Sequence, residues 1–368
     1  MKIYPFKPTL PLMDLVPSPD SFFSSIKSQY LNHKAAGFFE EHDHPLIFVH
    51  QIQSPLGTFG GIIAANDISD LKNRNILAHE KTLESKEQTM MNFLMKARAM
   101  VKPILLAYDP VKEIDQIINH VISSKEPDKI IEFEHDMIQR FWKIRDKTTL
   151  DTLVNLFDKK VKKCYLADGH HRCATVLKMS KNKVKNKDGK DLKKILSAYY
   201  SYDNLKVYDY NRIVDIQGEI SPIKMLAKLS KYCTIDPLAT PGKPVNKHVI
   251  NFLMGGEWFE AKWKKKVLKK YTGNKLILDA SLINKYVFKE ILNIEDVRVD
   301  PRISYSSGVL PLDEVAKPLK KEKYKIGIFL HPLDLEDVLL AADYNLSLPP
   351  KSTWFEPRIK SGLVVNEF

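Results

Sequence analysis

The chain has 368 residues, of which 44% are hydrophobic and 28% charged, with 14 Gly, 21 Pro and a formal charge of +12. This composition excludes a low-complexity or mainly disordered chain and leaves room for one elaborated domain or two. Three cysteines, Cys164, Cys173 and Cys233, are too few for a disulfide framework and offer no paired CxxC hooks for structural zinc, so a reducing, cytoplasmic setting is expected.

The N-terminal stretch MKIYPFKPTLPLMDLVPSPD is broken by five prolines and by Asp14 and Asp20, which suits neither a signal-peptide core nor a spanning helix. No later stretch reaches the roughly 18 apolar residues that a membrane span requires. A soluble protein without a membrane partner is expected. Short apolar runs at Pro45 to Gln51 and Thr58 to Ala65 read as strands of an α/β entry region. The loop Glu41-His42-Asp43-His44 has ligand atoms but no partner cluster, so no metal is expected there.

From Glu80 to Met100 strong helix formers predominate, and Lys102-Pro103 ends the helix before a buried strand, Ile104 to Tyr108. His79-Glu80 suggests a metalloprotease signature, but Leu83 stands where the second histidine would be, so that chemistry is excluded. Local sequence favours a helix-capping role for Glu80, with Glu80, Glu84 and Glu87 on one face. Ile130 to Ile144 and Leu153 to Phe157 read as short strands and a helix.

Strand Cys164 to Ala167 then runs into Asp168-Gly169-His170-His171-Arg172 and a helix. A strand, a polar elbow containing glycine and a helix present N–H groups to an anion, and Arg172 suits phosphate. Strands at Ile195 to Tyr202 and Lys206 to Tyr210, around Asp203-Asn204, read as a hairpin. Asn211-Arg212 follows, either reaching a ligand from a strand end or lying on the surface.

The last third reads as a helix at Ile223 to Tyr232, strands at Lys247 to Met254 and Trp258 to Lys262 around Gly255-Gly256, and a helix at Ser281 to Leu292. A strand at Lys325 to Leu330 and a helix at Asp334 to Tyr344 precede the tail. Lys351-Ser352-Thr353 resembles the end of a P-loop, but Leu348, Pro349 and Pro350 replace the glycine-rich cradle, so Walker A fails. A substrate clamp or a plain turn remains.

The excess charge sits largely in Lys178 to Lys194, with a turn at Asp188-Gly189, and in Lys262 to Lys270. Neither run contains the arginines that read base edges, so both are expected to be solvated surface.

Taken together, HEKT followed by VKPILLAYD, then LADGHHRCAT, then LPPKSTWFEPRIKSGL resemble the family called domain of unknown function 1015. That family in turn resembles the ParB/sulfiredoxin-superfamily kinases, typified by a free L-serine kinase that makes O-phospho-L-serine. The resemblance spans residues 76–217 and 318–368. It implies an α/β (α+β) protein with a ParB/sulfiredoxin-like nucleotide-binding core at 76–217, an N-terminal α/β extension at 1–75, and a C-terminal α/β region at 218–368 whose tail closes the active site.

The resemblance reverses the capping role of Glu80 and makes it the general base, beside a substrate-contacting His79. It makes Asp168 the essential aspartate and Gly169, His170, His171 and Arg172 the phosphate-binding part; because a nucleotide polyphosphate normally arrives with magnesium, Asp168 is also a candidate oxygen ligand for that ion. Lys351, Ser352 and Thr353 match the late turn over the substrate. Tyr210 replaces a tryptophan beside the substrate.

The implied activity is phosphoryl transfer from ATP or ADP, with Mg2+, to a small hydroxyl acceptor, most readily free serine. The alternatives are a ParB-like nucleotide switch or DNA-associated protein without turnover, and a scaffold without catalysis. The lack of a recognisable helix-turn-helix favours the enzyme.

Overall fold

The computed structural model describes residues 1–186, 189–216, 220–322 and 324–368, and assigns the chain to two compact units, Met1–Lys206 with Pro357–Phe368, and Val207–Glu356. The protein is a mixed α/β protein. Among the described residues no helix is long and apolar enough to cross a membrane.

The first unit is built on a nine-stranded sheet. Its strands are β1 (Ile3–Tyr4), β2 (Ile47–Ser54), β3 (Gly57–Asp67), β4 (Ile76–Leu77), β5 (Ile104–Tyr108), β6 (Lys129–Phe133), β7 (Met137–Ile144), β8 (Cys164–Asp168) and β9 (Lys194–Ser201). They lie in the order β4-β8-β5-β9-β3-β2-β7-β6, with β1 paired to β3. Its longer helices are α1 (Pro19–Ala35), α2 (Glu84–Ala97), α3 (Lys112–Ser124), α4 (Lys147–Lys160) and α5 (His170–Lys181).

Apolar patterning explains the layers. Every residue of β5 is buried, as expected of a central strand covered on both faces. Helix α3 buries Ile114, Ile118 and Val121, spaced to share one side of the helix. The expected boundary after residue 75 does not separate regions: β2 and β3 pair with β7 and β9, so residues 1–75 share the sheet that holds the later strands. The other expected boundary, at 217, lies outside the described residues, as does Asp188 of the proposed turn.

Two local expectations are corrected. Helix α2 begins at Glu84 because Leu83 is extended, with φ −95° and ψ 131°, and it ends at Arg98 in the left-handed region. Glu80 therefore lies in the preceding loop, outside the helix. The expected hairpin does not form either: β9 pairs with β3 and β5, and a 3-10 turn at Tyr202–Asn204 leads to the strand Lys206–Tyr208. The last two residues of that strand belong to the second unit, where it pairs with Trp354–Glu356.

The second unit carries a six-stranded sheet in the order Cys233–Pro237, Glu257–Trp263, Val249–Met254, Lys325–Leu330, Tyr210–Asp215, Ile303–Ser307. Gly255 and Gly256, at φ +59° and +85°, close the Met254 to Glu257 hairpin in the primed-turn geometry that matches strand twist. The expected helix at 281–292 is short α-helix (Asp279–Leu282) followed by π-helix (Ile283–Lys289).

Candidate active site

The site in the first unit is built where β8 ends. A register shift between Leu166 and Asp168 in the β8–β5 ladder re-aims the strand, leaving Asp168 at its C-terminal end. Gly169 then turns the chain at φ +105° into α5. A Cβ at this position would approach within 2.9 Å of both Arg172 Nη2 and Ile104 Cγ2, so only glycine permits the turn at this separation. His170, His171 and Arg172 form the first helical turn, whose backbone N–H groups lack partners within the helix.

Three cations converge on the Asp168 carboxylate. Lys102 Nζ lies 3.0 Å and Arg172 Nη2 2.7 Å from Oδ2, and Arg358 Nη2 lies 3.6 Å from Oδ1. Burial pushes the Asp168 carboxyl upward, but Lys102, Arg172 and Arg358 outweigh it and hold the group far below the usual carboxylate range. Burial lowers the Lys102 ammonium to about 8, against the opposing attraction of Asp168. Three cations around one carboxylate leave a surplus of positive charge, the electrostatic condition for holding an anion.

The guanidinium of Arg172 is more committed than its position in the sequence suggests. Its Nη1 donates to the carbonyls of Lys102 at 3.1 Å and Pro103 at 2.7 Å while Nη2 holds Asp168. Arg172 thus fixes the 102–103 turn and the carboxylate together, which orients Lys102.

Glu80 and the histidines form the neighbouring group. His170 Nδ1 is 3.8 Å from Glu80 Oε2, too long for a hydrogen bond. The His79 and His170 rings meet edge to face with centroids 4.6 Å apart. Burial lowers His170 to about 4, lowers His79 well below its ordinary value with His170 adding to the effect, and also lowers His171. Near neutral pH these imidazoles are uncharged, so His170 and Glu80 form no ion pair.

The remaining sequence candidates lie together in the second unit. The Lys351 ammonium sits 4.7 Å from the centre of the Tyr210 ring, which also meets Trp354 at 5.4 Å. Lys351 adopts φ +59°, its carbonyl accepts from Arg212 at 3.1 Å, and Ser352 Oγ donates to the Pro349 carbonyl at 2.8 Å. Ser352 and Thr353 are buried. Arg212 is 2% exposed, which corrects the reading of a surface arginine.

Magnesium at Asp168 fits poorly. Its two carboxylate oxygens already face three cations, and a divalent ion there would have to displace them. Among the described residues no group of three or more His, Cys, Asp or Glu is placed to hold a metal.

Lys102 and Arg358 are the residues that motif reading missed. Each lies inside a matched segment, VKPILLAYD or PPKSTWFEPRIKSGL, and each adjoins a proline, Pro103 or Pro357, that stiffens its backbone. A cation beside a proline within a family motif was the available signal.

A family model described as "Protein of unknown function (DUF1015)" matches residues 9–285. The match includes most of the N-terminal region and stops before the tail that carries Arg358. No curated protein matches the sequence. Among solved structures, a variant of a free serine kinase in complex with AMP is 12% identical, covering 82% of this chain and 92% of that one, with a TM-score of 0.41. SbnI from Staphylococcus aureus with a C-terminal truncation is 11% identical, covering 81% and 85%, with a TM-score of 0.42. A conserved hypothetical protein from Pyrococcus furiosus is 12% identical, covering 81% and 93%, with a TM-score of 0.39.

Proposed function

The chain belongs to the DUF1015 family, and we propose that it is a nucleotide-dependent phosphotransferase acting on the hydroxyl of a small acceptor, with free L-serine as the acceptor and ATP or ADP as the donor. The observation that carries this reading is the convergence of Lys102, Arg172 and Arg358 on Asp168 at the start of α5, with Glu80 beside His170.

In this reading the nucleotide phosphates lie against the surplus positive charge and the first-turn N–H groups of α5. Asp168 keeps the cations at fixed positions. The acceptor oxygen attacks the terminal phosphorus, the bond from that phosphorus to the bridging oxygen breaks, the bridging oxygen leaves with the nucleotide and the electron pair, and the acceptor proton passes to Glu80. The His79 and His170 rings, uncharged near neutral pH, meet edge to face, and His170 stands beside Glu80. Because Asp168 fits magnesium poorly, the ion enters this account only as a counterion of the nucleotide.

The test is a mass-spectrometric screen of free amino acids against ATP and ADP with magnesium, run with the wild type and Glu80→Gln. Phosphoserine from the wild type, reduced about 10² to 10⁴-fold in the variant, is expected for loss of a general base. A protein that binds nucleotide and phosphorylates no acceptor would leave the ParB-like switch in its place.

A further inference from the structure

Glu87, on α2, is not among the residues that the motifs single out, yet it is 8% exposed and joins three parts of the first unit. Its Oε1 accepts a hydrogen bond from the Thr82 hydroxyl. Its Oε2 pairs with Lys178 on α5. Its main-chain oxygen accepts a 3.4 Å hydrogen bond from Thr175, also on α5. Thr82 belongs to the segment between β4 and α2 that carries His79 and Glu80, and α5 opens with His170 to Arg172.

We propose that Glu87 is the positioning residue of the site, tying the Glu80 segment to α5 and so fixing how far the acceptor-side carboxylate stands from the phosphate-binding elbow. The proposal rests on the phosphotransferase reading for its catalytic consequence and on geometry alone for the tie. An ordinary helix-capping glutamate would satisfy its own helix. Glu87 instead binds a hydroxyl five residues before it and a lysine 91 residues after it. The Thr82 hydrogen bond is the side-chain contact that holds the loop, while the main-chain bond to Thr175 keeps α2 on α5, so loss of the Thr82 contact releases the loop rather than the fold. Rate depends steeply on such placement, because a displacement of about 1 Å can cost about 10²-fold.

Glu87→Ala removes both side-chain contacts, whereas Glu87→Gln keeps an amide oxygen to accept from Thr82. Tryptic cleavage after the exposed Lys81, followed by mass spectrometry on the native full-length chain, reads release of the loop. Cleavage is expected to be about tenfold faster in Glu87→Ala and near the wild-type rate in Glu87→Gln. Serine phosphorylation is expected to fall about 10 to 100-fold in Glu87→Ala, with kcat affected and nucleotide affinity held within about twofold, and to recover largely in Glu87→Gln.

Cleavage of Glu87→Ala at the wild-type rate would overturn the proposal. So would faster cleavage with unchanged kcat. If the wild type phosphorylates no acceptor, the phosphotransferase reading fails separately, and the cleavage rates alone decide whether Glu87 holds the loop.

Discussion

Lys102 Nζ lies 3.0 Å from Asp168 Oδ2, and the carbonyls of Lys102 and Pro103 are held by the arginine that binds the same carboxylate oxygen. One guanidinium therefore sets both the position of the lysine and the charge that faces it. This arrangement makes the local chemistry sensitive to pH and to single substitutions.

Nucleotide affinity is expected to decline as pH rises through about 8, the value to which burial brings Lys102. The ammonium is charged below that value and loses its charge above it. A phosphate bound to the charged form must then take up a proton on binding, which weakens affinity by up to about tenfold per pH unit. Titration of ADP by calorimetry between pH 7 and pH 9 checks this. A flat profile would remove Lys102 from the phosphate site.

Asp168→Asn is expected to destabilise the protein at pH 7 by about 1 to 3 kcal/mol, less than the loss of a fully buried pair because the side chain is 29% exposed. The sign follows from the lowered carboxyl. Its stabilising contribution is complete above its ordinary value of 3.8 and is lost as pH falls below that value toward its folded one. Urea unfolding of the wild type and variant should therefore differ at pH 7 and converge under strong acid.

Gly169→Ala is expected to cost about 1 to 3 kcal/mol, since alanine is strained at φ +105° and its Cβ would press on Arg172 and Ile104. Urea unfolding should also be accompanied by weaker nucleotide binding, because the displaced arginine no longer fixes Lys102. Wild-type stability would mean that the turn relaxes freely.

The lysine runs are expected to give only weak, sequence-independent affinity for DNA that falls steeply with salt. Lys183, Lys190, Lys265, Lys266, Lys269 and Lys270 are exposed, whereas Lys185 pairs with Asp191 and Lys262 with Glu260. Filter binding at two salt concentrations tests this. Tight binding to one sequence over random competitor would favour the switch reading.

The elbow was legible because one short segment places an acid, a glycine, two imidazoles and a guanidinium at a strand end. The strand Ile104–Tyr108 was legible because it is apolar throughout and bounded by Pro103. The start of α2 was not, because Glu80 and Lys81 are good helix formers, whereas Leu83 is extended and the Thr82 hydroxyl bonds the Glu87 side chain ahead of the helix. The hairpin failed for a related reason: β9 carries a fully buried run that is satisfied by β3 and β5 on its two edges. Arg358 is distant in sequence from the elbow, and only the return of residues 357–368 to the first unit brings it to Asp168.

The central claim is that the cations gathered around Asp168 hold nucleotide phosphates. Calorimetric titration of ADP into the wild type, Lys102→Met and Arg358→Met, each shown to be folded by circular dichroism, tests it most directly. Loss of one charge-assisted phosphate contact is expected to weaken affinity by about tenfold or more in each variant. Equal affinity in all three folded proteins would contradict the account.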